Sequence, residues 1–317
     1  MKTDSSYPRV RSPLGFSLGE WKSIAVHLFK QIGSDNLTLI SAGVAFYFLL
    51  AIFPMMAALV SVYGLFVDPQ QLSDQLTKLA FVLPQESREI LFTHLTKIVS
   101  EPQSTLSIGV VISLGFSLWS ASKGAQALVT ACNITYKESE KRVLWKALIV
   151  RMVLTGAAVM LMVASLLLIA VVPVVFSLVG LSDTFEQVVP VVSWGLLALC
   201  FNFALAALYR YAPHRTSPKW RWVSFGSLLA TLLWGIASYG FSIYVKDFAQ
   251  YNETYGSLGG VIILLMWLYF TALIILLGAE CNSVIEHHTV SDSTQGNTKP
   301  VGERGAVVAD TLPSDKS

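Results

Sequence analysis

Six long apolar runs, separated by short polar segments, set the pattern of this chain. The last is the clearest: Gly256 to Ala279 contains no charged residue, and the run closes on Glu280. A helix rises about 1.5 Å per residue, so roughly 20 apolar residues cross the hydrocarbon core of a bilayer. A surface helix of a soluble protein keeps one polar face, and this run has none. Comparable runs predict spans at about Leu37–Val67, Leu106–Ile134, Ala147–Val179, Val188–Tyr211, Val223–Val245 and Ser257–Asn282. Pro54 and Pro173 fall inside the first and third, where a missing backbone N–H predicts a kink. The predicted fold class is all-α, a polytopic membrane protein with six transmembrane helices.

Between the runs the period changes. In Glu20–Ile32, Trp21, Ile24, Ala25, Leu28 and Ile32 share one face, predicting an amphipathic helix lying in the membrane interface. Ser34, Asp35 and Asn36 offer N-cap chemistry to the first span. Gln70–Glu101 is too polar to cross. Its stripes Leu72, Leu76, Leu79, Leu83 and Ile90, Leu91, Leu95, Ile98, Val99 predict two amphipathic helices in the first extracytoplasmic loop, 68–105. Thr289–Ser317 is polar and predicts disorder. The expected organisation is therefore 1–33, a cytoplasmic tail with an interfacial helix; 34–286, the transmembrane domain; and 287–317, a disordered cytoplasmic tail.

Composition agrees: 54% of the 317 residues are hydrophobic and 13% charged, where soluble domains carry about 25%. A net charge of +2 argues against a nucleic-acid partner. Counting Arg210 at the end of span four, sixteen of the 22 basic residues fall in the two ends and in or next to the segments after spans two and four. Basic residues favour the cytoplasmic side, so both termini are expected there. Met1–Gly19 has no apolar signal-peptide core, and the first span is expected to act as an uncleaved insertion signal. Cys132, Cys200 and Cys281 have neither C-x-x-C nor metal-finger spacing, so no disulfide is expected.

The words A-F-Y-F-L-L-A-I-F-P (Ala45–Pro54), L-W-S-A-S-K-G (Leu118–Gly124), N-I-T-Y (Asn133–Tyr136), L-Y-R-Y-A-P (Leu208–Pro213), Y-G-S-L-G-G (Tyr255–Gly260), W-L-Y (Trp267–Tyr269) and L-G-A-E (Leu277–Glu280) follow one another in order. On these words the chain resembles the YihY/virulence-factor BrkB family of bacterial inner-membrane proteins, over roughly Ser34–Glu286. The resemblance implies six membrane helices and a plasma-membrane address. It brings no catalytic residues, and the label ribonuclease BN that the family has carried is a misassignment. The chain departs from the family pattern at Phe46, where Tyr is common, and at Phe225-Gly226, where Pro-Gly is common.

Polar residues inside the spans are the candidates for chemistry, since a charge in hydrocarbon costs about 2.5–3.5 kcal/mol and turns toward protein or water. Counting along the helices gathers Lys123, Gln126, Asn133, Arg210 and Glu280 toward the cytoplasmic end. They are expected to line a polar cavity open to the cytoplasm and to bind substrate, with Glu280 paired to Arg210 or Lys123. The alternative is that Arg210 and Glu280 snorkel to headgroups while the amides bridge helices. A second cluster, Tyr244, Lys246, Asp247, Tyr251, Asn252, Glu253 and Tyr255, reads as an aromatic belt leading into close-packing glycines. There is no H-E-x-x-H, Walker A or G-x-S-x-G word, and adjacent His287 and His288 point about 100° apart. No enzyme, cofactor or metal is expected.

Two function classes follow. One is a secondary transporter or translocator in contact with membrane lipids, carrying a lipid or small-molecule substrate. The other is a non-transporting envelope scaffold or biogenesis factor.

Overall fold

The computed structural model describes Val10 and residues 13–64, 103–178, 183–248 and 257–311. After a 3-10 turn at Pro13–Gly15 come α1 (Leu18–Ser34), α2 (Leu37–Gly64), α3 (Gln103–Thr135), α4 (Leu144–Leu178), α5 (Asp183–Tyr211), α6 (Trp220–Phe248), α7 (Ser257–His287) and the short α8 (Val307–Asp310). Among the described residues the only β pairing is an isolated bridge between Pro218 and Thr294. Six helices, α2 to α7, run 28 to 35 residues and sit where the apolar runs predicted spans. α2 continues through Pro54 and α4 through Pro173. The predicted loop helices in Gln70–Glu101 and the cluster from Tyr251 to Tyr255 lie outside the described residues, as do the side chains of Lys246 and Asp247.

Among the described residues, Val192–Tyr211, Trp220–Val245 and Gly259–His287 are long and apolar enough to cross a membrane. α1 and Leu37–Ile52, bent by 59° at their junction, make a fourth if the pair is one span. Large apolar side chains point outward along these helices, among them Trp194, Leu199, Phe203, Ile236 and Tyr239. Water would penalise so much exposed apolar surface; lipid does not.

The chain divides into two compact units. One comprises Ala42–Gly124 and Ala237–Ala272. Within it Phe241 packs against Trp267, ring centroids 5.1 Å apart, and Phe116 against Trp119 at 5.5 Å. Phe46 is exposed there, so nothing in the packing requires the tyrosine common at this position.

The other unit comprises Met1–Ser41, Ala125–Ile236 and Leu273–Ser317. α1 begins with a capping box: the Ser17 backbone N–H donates to Glu20 Oε2 at 2.6 Å, and the Glu20 N–H donates to Ser17 Oγ at 3.4 Å. Part of its predicted apolar face is turned to protein. Ile24, with Trp21 and Leu28, packs on Trp222 of α6 and on Cys281, Val284 and Ile285 of α7. An apolar stripe carries no label for its partner, and here protein supplies it. Phe225 joins this cluster, its ring centroid 5.0 Å from that of Trp21.

α6 and α7 cross closely at two glycines. A Cβ on Gly278 would stand 2.5 Å from Tyr209 Oη and 2.7 Å from the Gly226 carbonyl, so neither position has room for a side chain. Asn282 secures the crossing, accepting from the Gly226 N–H at 2.7 Å and donating to the Val223 carbonyl at 3.1 Å.

The segment after α7 corrects the expectation of a disordered tail from 287 onward. Through Thr311 it is ordered, with Thr289, Asp292, Ser293, Thr294 and Arg304 buried. Its backbone pairs with the α5–α6 connection: Lys219 N–H to Ser293 O at 2.8 Å, Gln295 N–H to Ser217 O at 2.9 Å, and Thr216 N–H to Gly305 O at 2.9 Å. Asp292 accepts from Thr294 and Lys299 N–H groups, and Asp310 from those of Gly302, Arg304 and Gly305. Composition predicted disorder because apolar residues are few. Backbone pairing and buried carboxylate hydrogen bonds replace them as the source of order.

Candidate functional site

The polar groups at one end of this second unit fall into three hydrogen-bonded sets. The first is built on the turn between α1 and α2. Asp35 caps α1, its N–H donating to Gln31 O at 2.9 Å, and Asn36 takes the left-handed backbone (φ 51°) that asparagine tolerates. The triplet on which N-cap chemistry was expected thus also ends α1. Lys137, just past α3 and also left-handed (φ 57°), donates to Asp35 Oδ1 at 2.6 Å and to Gln31 Oε1 at 2.8 Å. Asp35 and Lys137 are also the charges that act on Glu280. Glu280 is fully buried on α7, and neither carboxylate oxygen has a hydrogen-bond partner.

The second set joins α7 to the connection and the tail. Arg215 grips Glu286 with both guanidinium nitrogens, NH1 to Oε2 at 2.9 Å and NH2 to Oε1, while Ser293 Oγ also donates to Oε1. The Tyr136 ring lies 5.0 Å from the guanidinium carbon. Burial works against the Arg215 charge, but the Glu286 charge and hydrogen bonds outweigh it and hold the guanidinium above its ordinary value. Burial pushes the Tyr136 phenol well up. The third set centres on Arg210. It donates to the Pro218 carbonyl and to Gln295 Oε1 (2.7 Å), and lies 4.7 Å from the Trp220 ring centroid.

The five residues singled out from the sequence therefore separate. Glu280 is not paired with Arg210, whose partners are the connection and the tail. Asn133 accepts from the His214 N–H at 2.7 Å and donates to Glu140 at 3.1 Å. Gln126 is exposed and accepts from Arg151 at 2.8 Å, bridging α3 to α4. Lys123 belongs to the other unit, its ammonium 5.9 Å from the Trp119 ring centroid. A pairing of Glu280 with Lys123 is not among the ion pairs of the described residues, which join Lys137 to Asp35, Arg142 to Glu140, Arg215 to Glu286 and Arg304 to Asp292. Counting depth along helices places residues at a level but not around the axis, and it leaves out the tail that supplies Gln295. Asp35, Lys137, Arg215 and Glu286 escaped notice because the first reads as a cap, the second and third as topology signals, and the fourth as a helix end.

Chemically, the Arg215–Glu286 set is saturated and serves cohesion. The Glu280 set is not: a carboxyl group without a hydrogen bond, beside an ion pair, has capacity left to bind. Among the described residues no group of three or more His, Cys, Asp or Glu side chains is arranged to hold a metal ion.

Long apolar helices with lipid-type exteriors and this buried polar end define a multi-pass integral membrane protein. The family model for virulence factor BrkB matches residues 28–302, and the chain belongs to that family. A Bacillus subtilis protein named as ribonuclease-like, YfkH, is 32% identical over 255 residues, covering 77% of this chain and 88% of that one. UPF0761 membrane proteins of Tolumonas auensis and Idiomarina loihiensis are each 25% identical, over 280 and 285 residues, covering 87% and 85% of this chain and 89% and 95% of theirs. No solved structure matches.

Proposed function

We propose that the protein is a secondary transporter or translocator of a lipid or small molecule in the bacterial inner membrane. In this reading α2 to α7 are six spans, both termini are cytoplasmic, and the polar end of the second unit faces the cytoplasm. One observation carries it: Glu280 is fully buried on α7 with both oxygens unpartnered. An unsatisfied ionisable group inside a membrane helix is expensive, and such groups mark substrate and ion pathways. The positive-inside distribution of basic residues supports the orientation. A nuclease is not proposed, because Arg210 and Arg215 are buried and occupied by protein groups, leaving neither for a phosphate backbone.

Flux into proteoliposomes, screened over metabolites and labelled lipids, tests the reading. Wild type is expected to move a solute class that Glu280→Gln does not. Equal leakiness of both and of empty liposomes refutes transport. The second reading, an envelope scaffold, draws on the ordered segment after α7, which presents a fixed surface at that end. Cross-linking through Glu303→Cys to a defined partner, with no flux, is its expected signature.

A further inference from the structure

We propose that Glu280, Asp35 and Lys137 form a proton-binding site in which Glu280 takes the proton. The proposal deepens the transport reading, and rests on it only for the use made of the proton. Three elements meet here: the α1–α2 turn brings Asp35, the end of α3 brings Lys137, and α7 brings Glu280, with Cys281 beside it on the same helix. Lys137 is already committed, 2.6 Å from Asp35 and 2.8 Å from Gln31. Two carboxylates against one ammonium leave one negative charge over, and it falls on Glu280, whose oxygens no donor reaches. An ion left bare in such a place carries a large desolvation cost.

Addition of one proton to a Glu280 oxygen gives a neutral carboxylic acid and removes the excess charge; no electron moves and no other bond breaks. A metal ion suits the site less. Hard cations draw six or more oxygen ligands, and the Asp35 carboxylate beside Glu280 is already held by Lys137. Asp35 sits at the 59° bend between α1 and α2. Loss of the proton therefore sets a second carboxylate in competition for Lys137 at the point that fixes this bend.

The test is infrared spectroscopy of the full chain in lipid nanodiscs, titrated with alkali. Wild type is expected to show the carbonyl stretch of a protonated carboxyl at neutral pH, fading as pH rises. Glu280→Gln is expected to lack that band, and Glu303→Gln, at an exposed position, to keep it. Lys137→Gln removes the opposing cation and is expected to move the fading to higher pH, which keeps the test open if Glu280→Gln does not fold. A band of undiminished size in Glu280→Gln overturns the proposal, as does no movement in Lys137→Gln. Stabilisation of wild type by sodium over choline chloride, lost in Glu280→Gln, also overturns it in favour of a metal cation. A band that behaves as expected in a protein that moves no solute leaves the proton site standing and removes the transport reading alone.

Discussion

Replacing Glu286 by Gln removes one charge from a pair whose side chains are 0% (Arg215) and 2% (Glu286) exposed. The guanidinium then loses a two-point carboxylate contact and Ser293 loses its charged acceptor, while Tyr136 offers only its ring face. Breaking a buried pair from one side costs about 3–5 kcal/mol, because the remaining charge has no compensation. At about 1.36 kcal/mol per factor of ten, the folded population relative to unfolded falls by roughly two to four powers of ten. Arg215→Met should cost a similar amount from the other side. The double variant Arg215→Met with Glu286→Leu is expected to recover most of the loss, since a well-packed apolar pair often equals a buried ion pair. The assay is denaturant unfolding in mixed micelles followed by tryptophan fluorescence, on wild type, both singles and the double. Singles that each cost less than about 1 kcal/mol, the value of an exposed pair, refute the argument. So does a double variant whose loss is the sum of the two.

At the helix crossing, Gly278→Ala is expected to destabilise by about 1–3 kcal/mol through overpacking, read as a lower unfolding midpoint. Gly156→Ala in α4, where a Cβ meets nothing within 4 Å, should be neutral or stabilising. In the segment after α7, burial alone would raise Asp292 and Asp310, but their hydrogen bonds prevail and hold both below the ordinary aspartate value. Their contribution is thus present above that value and lost as pH falls through the lower folded values. Hydrogen exchange of residues 288–311 should accelerate on acidification below about pH 4, and Asp292→Asn with Asp310→Asn should flatten that dependence. Finally, buried Cys132 and Cys281 should resist maleimide in the folded protein while half-buried Cys200 reacts first, as mass spectrometry of timed samples will show.

Much of the helical scaffold was legible in the chain. The runs that placed α2 to α7 needed only hydropathy and length, since in lipid each backbone N–H and C=O must be satisfied within its own helix. The polar end was legible only as a level. Glu280 stood out because a charge closing an apolar run is rare, yet its neighbours Asp35 and Lys137 come from 245 and 143 residues away, and neither carries a local mark of proximity. Gln126 and Asn133, read as cavity-lining, bridge elements through hydrogen bonds, a use that intramembrane amides also permit.

What the sequence determined alone is the solvent: 54% hydrophobic residues in long uncharged runs require lipid around most of the chain. Tertiary structure alone decided which charges pair and which stay bare. It turned the apolar face of α1 onto α6 and α7, and it ordered a polar tail against the α5–α6 connection. The reason is physical. Burial in a helix is a one-dimensional property of composition, whereas a salt bridge depends on distance and on rotation about the helix axis, which only packing fixes.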